Sequence, residues 1–173
     1  MYRKIVVCVD ETPLSERVTR VGADMACRYD AEIVLLSVID PARLAHQPYT
    51  GLEAVQMLDR HSCSLSNSAH RLGAMLHTMG VRNKQLILPG RSVETILNVA
   101  DAESADLIVI GTEARGRLSA WLNSDLWSEV SHKASCNVLR VTPAEWTKEL
   151  TGDEGQVQSK PVQSLIATSL SAL

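Results

Sequence analysis

Five short apolar runs alternate along this chain with longer segments in which apolar residues recur every three or four positions. The runs are almost unbroken, which is typical of strands that are buried on both faces of a parallel sheet. They span Ile5–Val9, Glu32–Val38, Gln85–Leu88, Leu107–Ile110 and Val138–Val141. The alternation predicts successive βα units and therefore an α/β fold with one five-stranded parallel sheet.

Helical spacing puts apolar side chains on one face of each segment between the strands. The four faces comprise Leu14, Val18, Val21 and Met25; Leu65, Ala69, Leu72, Leu76 and Met79; Val93, Ile96, Leu97 and Ala100; and Leu122, Leu126 and Val130. Gly80 and Gly90 fall where a helix and a strand would end. Four helices are therefore predicted as the connections between the strands.

In the segment before the second helix, apolar residues follow helical spacing only weakly. Residues 41–60 contain Pro41, Pro48 and Gly51, all of which favour turns or irregular structure. We therefore predict that this segment is a loop.

The end of the chain differs in character from the rest. Residues 151–156 are polar and rich in glycine, as is typical of a linker. Val162, Leu165, Ile166 and Leu173 then share one face of a short helix. Such a helix needs a surface to pack on because isolated helices of this length are marginal in water, and a frayed tail is the alternative. We expect a domain over residues 1–142 and a C-terminal linker with an amphipathic helix over residues 143–173.

Composition narrows the classes of function. The chain has 173 residues, 45% of them hydrophobic, and a formal net charge of -3, which fits one globular domain with a sizeable core. Lys and Arg are scattered, so no basic patch points to nucleic acid. The N-terminal residues are too few and too β-like for a signal peptide, and no apolar stretch is long enough to span a bilayer. We therefore expect a cytoplasmic protein that binds neither nucleic acid nor membrane.

The familiar sequence patterns of catalytic and metal sites are missing. The four cysteines have no CxxC spacing and the five histidines contain no HxxxH pair, so no metal site is expected. No G-x-S-x-G elbow precedes a helix, which gives serine hydrolase chemistry no support. The turn after the first strand, Asp10–Pro13, has no glycine, unlike the pyrophosphate loops of adenylating enzymes. These patterns favour a binding protein over an enzyme.

Four segments of the chain match one known family. Ile5–Thr12 matches its first strand with an Asp turn, and Leu35–Asp40 matches its second strand. Pro89–Glu94, followed by Ile96, matches its turn into the third helix, and Ala134–Val141 matches its last strand. Together these segments resemble the universal stress protein family, over residues 2–142.

The resemblance implies a Rossmann-like sheet with strand order 3-2-1-4-5 and helices on both faces. In such a sheet the ligand crevice lies between the first and fourth strands, where the strand order reverses. The resemblance also implies a homodimer formed through the last strand, with Val138, Leu139, Arg140 and Val141 at the edge.

The phosphate loop of the ATP-binding branch of this family reads G-x2-G-x9-G-[ST]. Gly111 matches its first glycine, whereas Ala114 and Ser124 stand where the other two glycines would be. Their Cβ atoms restrict positive φ angles and the close approach of a phosphate. Asp125 replaces the hydroxyl residue at the start of the fourth helix, where a carboxylate would itself occupy the anion site. Tight ATP binding is therefore not expected.

At the adenosine end of the implied pocket, the residues of this chain match the family pattern better than they do at the phosphate end. The candidate nucleotide-binding residues are Asp10, Val38, Gly111, Thr112, Arg115, Gly116 and Ser124. Asp10 has an alternative role as part of the N-terminal cap of the first helix. Val38 is equally a core residue of the second strand.

Three functions follow from the sequence. The first is a cytosolic stress-response protein that acts by binding, as a homodimer, without tight ATP binding and with an unidentified protein partner left open. The second is a regulatory switch that binds ATP or AMP through the altered loop. The third is a weak ATP hydrolase, whose phosphate release would depend on Asp10.

Overall fold

Five parallel strands form one sheet, in the order β3-β2-β1-β4-β5. The computed structural model describes residues 1–41, 51–112 and 124–143, all within one compact unit, Met1–Pro143. The strands are β1 (Lys4–Cys8), β2 (Glu32–Ile39), β3 (Asn83–Pro89), β4 (Leu107–Gly111) and β5 (Asn137–Val141). The predicted fold class and strand order are therefore confirmed.

Helices cover both faces of the sheet. They are α1 (Leu14–Tyr29), α2 (Gly51–Thr78), α3 (Ser92–Ala102) and α4 (Ser124–Lys133). Successive side chains of β1 point to opposite faces, so that Ile5 and Val7 pack with α1 and α2, whereas Val6 packs with α3 and α4. All three side chains have no exposed surface. The apolar faces predicted for the helices pack on the sheet, except that Met79, beyond the end of α2, is exposed, and Leu122 lies outside the described residues.

The prediction of a loop over residues 41–60 is wrong for its second half. Helix α2 begins at Gly51 and continues without interruption to Thr78. Residues 51–60 are rich in strong helix formers such as Glu53, Gln56 and Met57, and this propensity outweighs the weak apolar stripe. Residues 42–50 lie outside the described part of the chain.

Strand ends differ from the predicted ones by one or two residues. β3 begins at Asn83 rather than Gln85 because Asn83 and Lys84 pair with Ile33 and Val34 of β2. Because these two side chains are polar, the apolar pattern did not include the start of the strand. β3 lies at an edge of the sheet, where a strand needs fewer apolar side chains. Gly80 and Gly90 have φ angles of 75° and 150°, in agreement with their predicted places at element ends.

The amino end of the sheet is held by charged side chains. Asp106 Oδ2 accepts hydrogen bonds from the backbone N–H groups of Arg3 (2.7 Å) and Lys4 (3.0 Å), and these bonds hold the pKa of Asp106 below its usual range. The Glu103 carboxylate receives Lys84 Nζ at 2.6 Å and Lys4 Nζ at 3.2 Å. These contacts join the start of β1 to the turn before β4 and to β3.

Two further expectations concern membranes and the C-terminal tail. Among the described helices, none combines the length and the apolar character that crossing a membrane requires. The helix predicted over residues 162–173 lies outside the described residues. The domain boundary at residue 142 stays a prediction.

Candidate functional site

A cleft opens at the carboxyl ends of β1 and β4. Here the chain connections of the sheet reverse direction, because β1 is followed in sequence by β2 on one side and β4 lies on the other. Its lining comprises Cys8, Val9, Asp10, Thr12, Leu14, Ser15, Val18, Leu36, Val38, Ser92, Ile96, Ile110, Gly111 and Leu126. The cleft encloses about 80 Å³ of water-accessible space. Asp10, Val38 and Gly111, three of the predicted site residues, are therefore brought together.

Asp10 caps the turn that leads into α1. Its Oδ1 atom accepts hydrogen bonds from Thr12 N (2.9 Å), Thr12 Oγ1 (2.6 Å) and Ser15 Oγ (2.7 Å). Ser15 Oγ in turn accepts a hydrogen bond from Asp10 N at 2.8 Å. Asp10 thus holds the turn before α1, but it does not cap the helix itself as the sequence alternative expected, because no side-chain hydrogen bond caps α1. A ligand-binding role for Asp10 stays a prediction, and its exposed position in the lining of the cleft is compatible with that role.

Helix α2 supports the same turn from the side. Ser68 Oγ donates a hydrogen bond to Asp10 O at 3.2 Å. His61 Nδ1 lies 3.2 Å from Glu11 Oε1. Sequence reasoning missed this support because contacts between a helix and a turn about fifty residues earlier have no signature in a single sequence.

Carboxylates of the chain itself accept backbone N–H groups beside two helices at the cleft. Before α1, Asp10 accepts the N–H of Thr12, which precedes the helix, and no side-chain hydrogen bond caps α1 itself. At α3, Asp40 Oδ2 accepts hydrogen bonds from Ser92 N (2.9 Å) and Ser92 Oγ (2.8 Å). A helix N-terminus is a natural anion site, and at α3 the Asp40 carboxylate already takes one of its N–H groups.

The sequence predicted that the Asp125 carboxylate would act as an internal anion at the start of α4. Helix α4 begins at Ser124, as predicted. The side chains of Ser124 and Asp125 lie outside the described part of the structure, as do Arg115 and Gly116. The roles of these four residues stay predictions.

Gly111 lies at the end of β4, directly under the first turn of α1. A Cβ atom on Gly111 would lie 2.7 Å from Val18 Cγ2 and 3.0 Å from Leu14 Cδ2, which is too close for either contact. Close packing of α1 on β4 therefore explains this glycine without any ligand. The match of Gly111 to the phosphate motif is correspondingly weaker support for phosphate binding than the sequence implied.

Apolar side chains form the floor of the cleft. Val38 is half-buried, pairs with Leu88 across β2 and β3, and packs with the cluster on the α3 and α4 face. Cys8 contributes its thiol beside it, and burial raises the pKa of that thiol to about 12. Since a protonated thiol is a weak nucleophile, Cys8 serves as a small apolar group.

Thr112 is directed toward β5. Its Oγ1 atom accepts a hydrogen bond from Arg140 Nε at 2.7 Å, and its N–H donates to Val141 O at 2.9 Å. The Arg140 guanidinium lies 5.3 Å from the centre of the Trp127 ring. Thr112 is buried and does not belong to the lining of the cleft as described. The sequence carried no signal for this contact, since it depends on how α4 packs against the ends of β4 and β5.

The electrostatic character of the cleft is set by Asp10. No Lys or Arg occurs among the lining residues in the described part of the chain. Over the same residues, no group of three or more His, Cys, Asp or Glu side chains could hold a metal ion. The described cleft offers an apolar floor, hydroxyl groups and one carboxylate.

Comparison with known proteins identifies the family. The family model described as the universal stress protein family matches residues 1–142. The chain belongs to the universal stress protein family. Universal stress protein MJ0531 of Methanocaldococcus jannaschii is 28% identical over 145 residues, which cover 82% of each chain.

Solved structures of universal stress proteins share the fold. The universal stress protein UspA from Lactobacillus plantarum superimposes with a TM-score of 0.69 at 22% identity, covering 81% of this chain and 97% of that one. A universal stress protein in complex with cAMP has a TM-score of 0.58 at 17% identity, covering 82% and 97%. The universal stress protein from Archaeoglobus fulgidus in complex with dAMP has a TM-score of 0.53 at 21% identity, covering 80% and 97%.

Proposed function

We propose that this universal stress protein acts by binding rather than by catalysis, as a homodimer, and that it does not bind ATP tightly. The observation that carries the proposal is that carboxylates of the chain accept N–H groups beside the cleft, Asp10 that of Thr12 before α1 and Asp40 that of Ser92 at the start of α3. These two N–H groups are therefore not available to a phosphate. The described lining adds no cationic side chain to compensate.

Electrostatics disfavour a polyphosphate in this cleft. Two unit charges of like sign 8 Å apart repel by about 2 kcal/mol at an effective dielectric constant near 20. A triphosphate close to the Asp10 and Asp40 carboxylates would meet repulsion of this kind and would lose part of its hydration. Because loss of hydration needs compensating donors, the balance favours a neutral group in the cleft over a triphosphate.

Asp40 provides the most direct test of this electrostatic argument. Asp40→Asn removes the charge and keeps an oxygen that accepts the hydrogen bonds of Ser92. We expect ATP affinity to rise about tenfold, which corresponds to about 1.4 kcal/mol of relieved repulsion. The measurement is a calorimetric titration of protein that has been stripped of bound ligand.

Glu94→Gln is the matched control. Glu94 is also an acidic residue in the first turn of α3, but it is exposed and forms an ion pair with Arg91 at 3.0 Å. Its removal changes the net charge of the protein by the same amount. Equal ATP affinities of the two variants would contradict the proposed role of Asp40.

A nucleotide-linked switch is the second candidate function. Two structural neighbours are complexes with cAMP and with dAMP, ligands that carry a single phosphate. The apolar floor around Val38 and the Asp10 carboxylate suit a base and a hydroxyl-bearing sugar. Under this alternative AMP or ATP would bind at micromolar concentration, and Asp10→Asn would weaken the binding.

The proposed homodimer forms through β5. β5 lies at an edge of the sheet, and β4 is its strand neighbour. A strand at a sheet edge offers unpaired backbone groups to another chain. Val138 and Leu139 on this strand are half-buried, which leaves apolar surface for a second copy to cover.

A cytoplasmic location completes the proposal. All four cysteines, Cys8, Cys27, Cys63 and Cys136, are free thiols. Free thiols are typical of a reducing compartment, whereas exported proteins of this size often carry disulfides.

A further inference from the structure

The first turn of α1 presents aliphatic side chains to the cleft. Leu14 and Val18 both line it, one helical turn apart. Val18 is buried, whereas Leu14 is half-buried and reaches the solvent at the mouth of the cleft. Aliphatic side chains therefore line the part of the cleft next to β4.

Val18 and Leu14 together cover the side of Gly111 on which other residues carry a Cβ atom. A glycine allows close approach on that side. At Gly111 the position is already taken, since a Cβ built there would lie 2.7 Å from Val18 Cγ2 and 3.0 Å and 3.2 Å from Leu14 Cδ2 and Cγ, with Val18 buried and Leu14 on the solvent side. A phosphate that was to contact the backbone of Gly111 on this side would first have to displace the Leu14 side chain.

The size of the cleft agrees with this arrangement. Its 80 Å³ of water-accessible space is far below the roughly 300–1,000 Å³ of typical small-molecule pockets. A charged group beside Leu14 would also lose water without gaining a donor, which is costly. An uncharged group loses much less when it is placed there.

We propose that Leu14 is a specificity-determining residue that closes the Gly111 side of the cleft to phosphate groups, so that the site prefers an uncharged nucleoside to its nucleotides. This inference deepens the proposed function and rests on it. Asp10 and Asp40 disfavour phosphate by charge, whereas Leu14 disfavours it by occupying space. The two effects are separable because they reside on different side chains.

Truncation of Leu14 in the full chain tests the inference. Leu14→Ala is expected to tighten binding of AMP and ATP at least tenfold and to change adenosine binding less than threefold. Val21→Ala is the matched control, since Val21 is a half-buried aliphatic residue of the same helix outside the cleft lining. This control is expected to bind all three ligands as the unchanged protein does.

Each outcome of the titrations decides a different claim. The affinity of the unchanged protein for ATP tests the proposed function, and the ratio of the Leu14→Ala variant to the unchanged protein tests the role of Leu14. A ratio near one, or equal gains for adenosine and ATP, would overturn the inference and leave the proposed function standing. Leu14→Thr provides a second truncation if the Ala variant melts well below Val21→Ala, and it is expected to show the same preference for AMP and ATP.

Discussion

At the scale of single residues, Ser15 holds Asp10 in place although the sequence did not single it out. Its side chain is buried, accepts a hydrogen bond from Asp10 N and donates one to Asp10 Oδ1. The first bond fixes the backbone of Asp10 and the second fixes its carboxylate. Ser15 therefore acts as a positioning residue for Asp10.

Ser15→Ala removes both hydrogen bonds and leaves Asp10 N without this acceptor. We expect the free energy of unfolding to fall by about 1–3 kcal/mol, because hydrogen bonds to a charged group are stronger than neutral ones. Urea denaturation measures this change. The control is Ser135→Ala, since Ser135 is exposed and donates to Asp101 at the opposite end of the sheet. An equal loss of stability in the two variants would show that Ser15 has no special role.

Individual residues also show where sequence reasoning reached its limit. The sequence correctly placed Asp10, Val38 and Gly111 at one cleft because parallel strands bring their carboxyl ends to one edge. It could not show that Leu14 and Val18 pack on Gly111, since that depends on the distance between α1 and β4. Motif matching therefore identified the position of the glycine, and the close packing of α1 on β4 gives a structural reason for it that the motif did not contain.

At the scale of the elements, hydrophobic periodicity predicted the five strands and the core faces of the helices. It failed at the first ten residues of α2, where helix propensity rather than an apolar stripe decides the structure. The helix continues from these residues to His61, whose Nδ1 lies 3.2 Å from Glu11 Oε1. Contacts between an element and a distant turn have no signature in a single sequence.

Asp106 provides a prediction about how the elements are held together. Its pKa is lowered in the folded protein by the N–H groups of Arg3 and Lys4. A carboxyl whose pKa is lowered by folding stabilises the fold above its ordinary pKa, and this contribution is lost as the pH falls through the lowered value. Asp106→Asn is therefore expected to lower the free energy of unfolding by about 1–3 kcal/mol at neutral pH.

Acid titration distinguishes this effect from a general loss of packing. The stability difference between the unchanged protein and Asp106→Asn should shrink between about pH 5 and about pH 2. Asp24→Asn, a change at an exposed residue of α1, is the control and should have little effect at either pH. A difference that stays constant with pH would contradict the assignment to the Asp106 charge.

At the scale of the whole molecule, the two edges of the sheet allow a matched test of dimerisation. Leu139 on β5 and Leu86 on β3 are both half-buried leucines of edge strands. A lysine on an edge strand opposes pairing with another chain. We expect sedimentation velocity to show a dimer for the unchanged protein and for Leu86→Lys, and a monomer for Leu139→Lys. A monomeric unchanged protein, or a dimeric Leu139→Lys variant, would contradict dimerisation through β5.

The central claim is that this universal stress protein binds its ligand without an anchor for phosphate. Calorimetry of the full chain, stripped of bound ligand and titrated with adenosine, AMP and magnesium–ATP, tests it most directly. The account predicts that ATP binds more weakly than about 100 μM, a free energy weaker than about -5.5 kcal/mol, and no more tightly than adenosine. Micromolar binding of ATP, tighter than that of adenosine, would contradict the account and favour the nucleotide-linked switch.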